Sequence, residues 1–169
     1  IHGGGIDLVF PHHENELAQS VCASKTKSFA NFWLHNGFVN IEGEKMSKSL
    51  GNYLTVDDLR NQNISGDVVR FVLLSSHYRQ PLDWANRKVL EAFKIIERWQ
   101  KIAEQTFLKD KSKIPANEIV AALFDDLNTP LAIAELHQLA KNQEYEKFVS
   151  SAHFLGLLLP ELKEEHSAV

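Results

Sequence analysis

Lys45-Met46-Ser47-Lys48-Ser49, with Leu50-Gly51-Asn52 behind it, is the stretch on which the reading of this chain turns. It holds two lysines three apart, two serines, and a glycine two residues later. No apolar periodicity anchors it as a strand or helix, so it reads as a mobile polar loop. Two ammonium groups on such a loop can be brought to a bound polyphosphate. There they can stabilise the charge that builds up in a transition state. A generic Lys-x-x-Lys is ordinarily a solvated turn with two surface lysines. The rest of the chain has to decide between these readings.

The totals narrow the choice. A chain of 169 residues makes one ordinary domain or two small ones. No apolar run approaches the length of a membrane span, and residues 1–10 carry no basic lead-in of a signal peptide. Cys22 is the only cysteine, which rules out an internal disulfide and points to a reducing, cytoplasmic setting. The formal net charge of −4 argues against a uniformly basic nucleic-acid coat but leaves room for a local basic stripe. Met46 is the only methionine and the chain opens at Ile1, so a piece of a longer protein is expected.

Upstream of the loop, Ile1-His2-Gly3-Gly4-Gly5-Ile6-Asp7-Leu8-Val9-Phe10 joins a glycine run to an apolar patch. The glycines either let the backbone approach a ligand or form a plain turn. The dinucleotide fingerprint spacing is absent. Pro11 suits a first helical position, and a helix is expected to about Ser24. Within it His12 and Glu16 are four apart and share a face. Such a pair can ligate zinc, but zinc needs three or four ligands, so taken alone it reads as a surface pair. The aromatic and β-branched content of residues 33–41 predicts a strand or hairpin leading into the loop, with Glu42-Gly43-Glu44 as its turn.

Downstream the chain turns helical. Thr55 and Asp58 resemble a capping box for a helix over residues 56–61. Ser65 can cap a largely buried helix to about residue 76. Asp83 is placed as the cap of a long helix over 84–107. Residues 108–116 read as a polar linker. Residues 87–113 hold eight basic and four acidic residues, which suits either a solvated face or a contact to nucleic-acid phosphates. Three more helices follow, over 117–127, 129–142 and 145–158. Asp125 and Asp126, between the first two, read as capping and solubilising groups. The tail from Glu161 is short and acidic.

Taken together, Ile1-His2-Gly3-Gly4-Gly5-Ile6-Asp7, Phe10-Pro11-His12-His13-Glu14-Asn15-Glu16 and Trp33-Leu34-His35-Asn36-Gly37-Phe38, ahead of the lysine loop, resemble the cysteinyl-tRNA synthetases. The loop matches the signature loop of the class I aminoacyl-tRNA synthetases. Phe124-Asp125-Asp126-Leu127-Asn128-Thr129-Pro130 matches the family's helical bundle. The resemblance implies a mainly α chain with a small α/β part. Residues 1–30 would be a remnant of a Rossmann-type catalytic fold. Residues 31–82 would be a connector carrying the lysine loop, and residues 83–169 an antiparallel, tRNA-contacting helical bundle.

The same resemblance implies roles. Lys45 and Lys48 would neutralise the triphosphate of ATP bound with magnesium. Asp7 and Gly4 would lie near the ATP, and His2 would line the cysteine pocket. His12 and Glu16 would be two of four zinc ligands. Zinc has a purpose in such a site: thiolate is a far better zinc ligand than a hydroxyl, so the ion reads sulfur where an apolar pocket separates near-isosteres poorly. The partners implied are cysteine, ATP and tRNA(Cys), for a monomer with no membrane contact. The family's His-Ile-Gly-His motif and its two cysteine ligands do not occur in residues 1–169. The family's anticodon-binding domain is not recognisable there either. The piece alone is therefore expected to be inactive and to bind zinc and ATP poorly. Two other readings stay open: the related ligase that joins cysteine to a glucosaminyl-inositol amine, and a non-catalytic tRNA-binding module.

Overall fold

The computed structural model describes residues 1–106 and 114–158. Residues 107–113 and 159–169 lie outside them, and with them most of the expected linker, the end of the basic run and the acidic tail. The chain is mainly α with a small α/β part, as expected. Its first portion carries five short strands in two sheets. Strand β1 (His2–Gly5) pairs in parallel with β2 (Trp33–Asn36), with helix α1 (Glu14–Ser24) between them in sequence. The second sheet has the order β4-β3-β5, with β3 (Val39–Ile41) antiparallel to β4 (Glu44–Lys45) and parallel to β5 (Leu82–Trp84).

The expected strand or hairpin over 33–41 is thus two strands in different sheets. The glycine run is extended strand rather than turn. Phe10 is extended too (φ −139°, ψ 135°), so Pro11 follows a kink and regular helix starts only at Glu14.

Local capping chemistry sets the next helices. In α2 (Val56–Asn61) the Thr55 hydroxyl accepts from the Asp58 amide at 3.1 Å, and the Asp58 carboxylate accepts from the Thr55 amide at 2.8 Å. In α3 (Gly66–Leu74) the Ser65 hydroxyl accepts from the Val68 amide. Helix α4 (Asn86–Gln105) departs from expectation. Its cap is Ala85, with no side-chain bond, and Leu82–Trp84 is a strand. Asp83 instead accepts from the Gly43 amide at 2.8 Å, tying β5 to the β3–β4 turn. Helices α5 (Asn117–Phe124), α6 (Thr129–Lys141) and α7 (Tyr145–Phe154) complete the bundle.

The core is lopsided. Among residues 1–58 only His13 is buried. The apolar core is built from α3 to α7, with Leu59 of α2 and Leu82 and Trp84 of β5 joining it, around Trp99, Phe148, Ile119, Leu136 and Leu157. Arg70 of α3 donates to the Leu155 carbonyl at 2.6 Å and so closes the C-terminus of α7.

One buried polar contact stands out in this core. Ser151 is wholly buried, and its hydroxyl accepts from the Ala116 amide at 2.9 Å, just before α5. Removing the hydroxyl strands a buried amide. Ser151→Ala is expected to destabilise the bundle by about 1–3 kcal/mol. A urea midpoint unchanged from wild type, with unchanged slope, would contradict it.

Candidate functional site

Two clusters of chemically capable side chains lie on the two sheets. The first is built where β1, the start of α1 and β2 meet. Parallel pairing sets Gly4 opposite His35 and His2 opposite Trp33. Gly4 lies so close to the His13 ring and the Leu8 side chain that a Cβ would crowd both. Glycine there lets the imidazole come down onto the strand. The rings of His2 and His13 then meet edge to face at 4.5 Å, and Trp33 covers both. His13 and His35 share a hydrogen bond at 2.8 Å between Nδ1 and Nε2.

The Glu16 carboxylate joins this cluster from the first turn of α1. One oxygen lies 2.9 Å from His2 Nε2 and the other 3.4 Å from His12 Nε2. Burial, then the neighbouring imidazoles of His2 and His35, hold His13 below the ordinary histidine range. A cleft of about 270 Å³ opens beside it, lined by Val9, His13, Glu14, Leu17, Trp33 and His35.

The donor atoms of His2, His13 and Glu16 all lie within 4.8 Å of one another. Imidazole nitrogen with carboxylate oxygen is a donor set that zinc accepts, and neutral His13 offers a lone pair without first losing a proton. The residues present therefore fit such an ion. His12 and Glu16 do share a face, as the spacing implied. The tighter group, however, brings in His13, the second histidine of the pair, which sequence reasoning passed over. Cys22 is exposed and belongs to no such group among the described residues. Asp7 is exposed in the short turn Ile6–Leu8 that follows β1.

The second cluster is the lysine loop. Lys45 ends β4, with its Nζ 3.5 Å above the centre of the Phe38 ring. Lys48 is exposed, 5.9 Å from the centre of the Tyr53 ring. Neither lysine is in an ion pair among the described residues. Asn52 staples the loop: its carbonyl oxygen accepts from the Ser47 amide at 2.8 Å and its amide donates to the Lys45 carbonyl at 3.2 Å. Gly51 takes a left-handed turn (φ 68°) that closes it. A larger opening of about 510 Å³ lies far along the chain, at the end of α4 and the α6–α7 turn, lined by ordinary polar groups that include the surface pair Glu144–Lys147.

A glycine-ended parallel strand with a histidine cluster, then a lysine loop on a small second sheet, then a helical bundle, is the motif order of a class I aminoacyl-tRNA synthetase. The chain belongs to the family described as tRNA synthetases class I (C) catalytic domain, which matches residues 1–94. A DALR domain matches residues 118–152.

A cysteine–tRNA ligase of Ruegeria pomeroyi is 54% identical over 158 residues, covering 93% of this chain and 33% of its own length. One from Paracoccus denitrificans is 51% identical, covering 96% and 34%. One from Rickettsia prowazekii is 46% identical, covering 94% and 36%. The chain thus spans about a third of the length of the curated relatives it matches. Among solved structures, the ternary complex of Agrobacterium radiobacter K84 agnB2 LeuRS-tRNA-LeuAMS shares the fold, with a TM-score of 0.59 over 92% of this chain and 24% of that chain, at 18% identity.

Proposed function

We propose that the parent polypeptide of this chain is a cysteine–tRNA ligase. It joins the cysteine carboxylate to the α-phosphorus of ATP, and the β- and γ-phosphates leave as pyrophosphate. It then passes the cysteinyl group from the adenylate to the 3′ end of tRNA(Cys), releasing AMP. The observation that carries this reading is the ordered set of motifs, from the glycine strand to the lysine loop, in a chain half identical to cysteine–tRNA ligases over nearly its whole length.

Each group then has a task. Lys48 and Lys45 meet the charge that grows on the departing pyrophosphate, with magnesium accompanying the ATP. Gly4 keeps β1 free of a side chain where the ATP approaches, and Asp7 faces its ribose. His2 lines the cysteine pocket. His12 and Glu16 hold zinc together with two ligands from elsewhere in the parent, and the His2 and His13 nitrogens clustered with the Glu16 carboxylate flank that site. When bound, zinc supplies a centre that prefers thiolate over hydroxyl.

Residues 1–30 belong to the catalytic fold, residues 31–82 to the connector, and residues 83–169 to a tRNA-contacting bundle. A parallel pair as exposed as β1–β2 is marginal alone, because parallel sheets are ordinarily covered on both faces. The remainder of a monomeric, cytoplasmic parent supplies that cover.

The test is cysteine-dependent exchange of pyrophosphate into ATP by the full-length parent, followed by transfer to tRNA or to a glucosaminyl-inositol amine. Charging of tRNA alone is expected. Charging of the amine would replace this reading with the thiol-biosynthesis ligase, and no exchange at all would leave only an RNA-binding module. The 169-residue chain by itself is expected to show no exchange. Turnover by the purified chain would mean that the pocket is more complete than its exposed sheet implies.

A further inference from the structure

The α5–α6 turn makes a contact that capping does not explain. Asp126 and Leu127 are consecutive non-glycine residues with left-handed backbone (φ 53° and 55°), a conformation that is sterically costly for such residues. The turn is held there by side-chain bonds to a distant loop. The Asp126 carboxylate accepts at Oδ1 from the Tyr78 hydroxyl at 2.7 Å and from Arg79 Nη2 at 3.2 Å. The other carboxylate oxygen, Oδ2, forms an ion pair with the guanidinium, 2.8 Å from Arg79 Nε. His77 stacks on Tyr78 with its Nε2 3.9 Å from the carboxylate. The Tyr78 hydrogen bond, and then Arg79, hold the Asp126 carboxyl below its usual range. A lone exposed ion pair would count for little, but here two donors fork onto one carboxylate and bond to each other, Arg79 Nε to Tyr78 Oη at 2.9 Å.

The contact continues towards the lysine loop. The Tyr78 carbonyl accepts from the Gly37 amide at 2.7 Å, and the Phe38 carbonyl accepts from the Leu82 amide at 2.8 Å. Gly37 sits so close to the Gln80 carbonyl that a Cβ would collide with it. The start of β3 is therefore fixed to the loop around Tyr78. Phe38 is the ring beneath the Lys45 ammonium, and the Val39 carbonyl accepts from the Met46 amide at 2.9 Å.

We propose that Asp126 is a positioning residue for Lys45: through Tyr78, Arg79 and Gly37 it sets the Phe38 ring on which that lysine rests, linking the helical bundle to the phosphate-facing loop. The inference rests on the cysteine–tRNA ligase reading for its kinetic consequence, but not for its geometry.

The test is a cycle of Asp126→Asn and Lys45→Ala in the full-length parent. Asp126→Asn is expected to lower the exchange kcat about tenfold with the KM for cysteine unchanged, and Asp126→Glu to recover most of it. In the Lys45→Ala background the same change is expected to cost less than twofold. An equal loss in both backgrounds, or no loss, overturns the proposal, because a merely structural aspartate does not depend on Lys45. A second readout needs no activity. Acetylation of lysines by an N-hydroxysuccinimide ester, followed by mass spectrometry, is expected to label Lys45 at least about twofold faster in Asp126→Asn, with Lys48 unchanged. Unaltered Lys45 labelling overturns the proposal even if the unmodified parent performs no exchange, a result that would separately remove the ligase reading.

Discussion

Lys48→Ala in the full-length parent is expected to cut cysteine-dependent pyrophosphate exchange by about 10²-fold or more, close to 2.7 kcal/mol of transition-state stabilisation. The two loop lysines are not equivalent in their surroundings. Lys45 closes strand β4 with its ammonium seated on the Phe38 ring, so part of its reach is already committed. Lys48 lies past the Ser47–Asn52 staple, exposed and 5.9 Å from its nearest ring. It can swing to a triphosphate without breaking a contact of comparable strength. The effect is expected in kcat and kcat/KM alike, because on the proposed role the interaction grows as pyrophosphate departs. Lys48→Arg keeps the charge but not the compact ammonium, and is expected to retain an intermediate rate. An exchange rate for Lys48→Ala within about threefold of wild type would remove the loop from the chemistry.

Much of this architecture is written locally, and that part reads directly from the sequence. Thr55 with Asp58, and Ser65 ahead of its apolar run, name two helix starts because a cap involves only residues three apart. The His12–Glu16 contact is legible for the same reason: one helical turn brings them together. What is not legible depends on residues far apart in the chain. Strand β5 is three residues long and exists because β3, some forty positions earlier, offers it an edge. Asp83 has the chemistry of a cap, yet its carboxylate goes to the Gly43 amide across that same sheet.

Asp126 likewise has the chemistry of a solubilising turn residue, and only tertiary placement brings Tyr78 and Arg79 to it. His13 was passed over beside His12 because no period marks which of two adjacent histidines turns inward. The glycine strand beneath it settles that question. The motif order identified the family where periodicity could not, since the lysine loop and the glycine run carry no helical or strand pattern.

The largest stability effect is expected at Trp99. Its side chain is wholly enclosed by the bundle and meets three rings: Phe148 at 5.2 Å and Phe71 at 5.6 Å, both edge to face, and His137 at 4.9 Å. These rings come from α3, α6 and α7, so a single side chain on α4 joins four helices. Trp99→Ala leaves a void that none of them can fill without moving the others, and is expected to cost about 3–5 kcal/mol. Set against the roughly 5–15 kcal/mol by which domains are stable, that loss brings the bundle close to unfolding.

Among the described residues the indole Nε1 has no acceptor, so there the nitrogen contributes an unmet desolvation cost rather than a bond. Trp99→Phe removes that cost and keeps ring contacts on the same face. It is therefore expected to lose less than half as much as alanine. Urea denaturation followed by far-ultraviolet circular dichroism checks both variants. A Trp99→Ala unfolding free energy within about 1 kcal/mol of wild type, or a phenylalanine variant as damaged as the alanine one, would mean that the four helices are held together elsewhere.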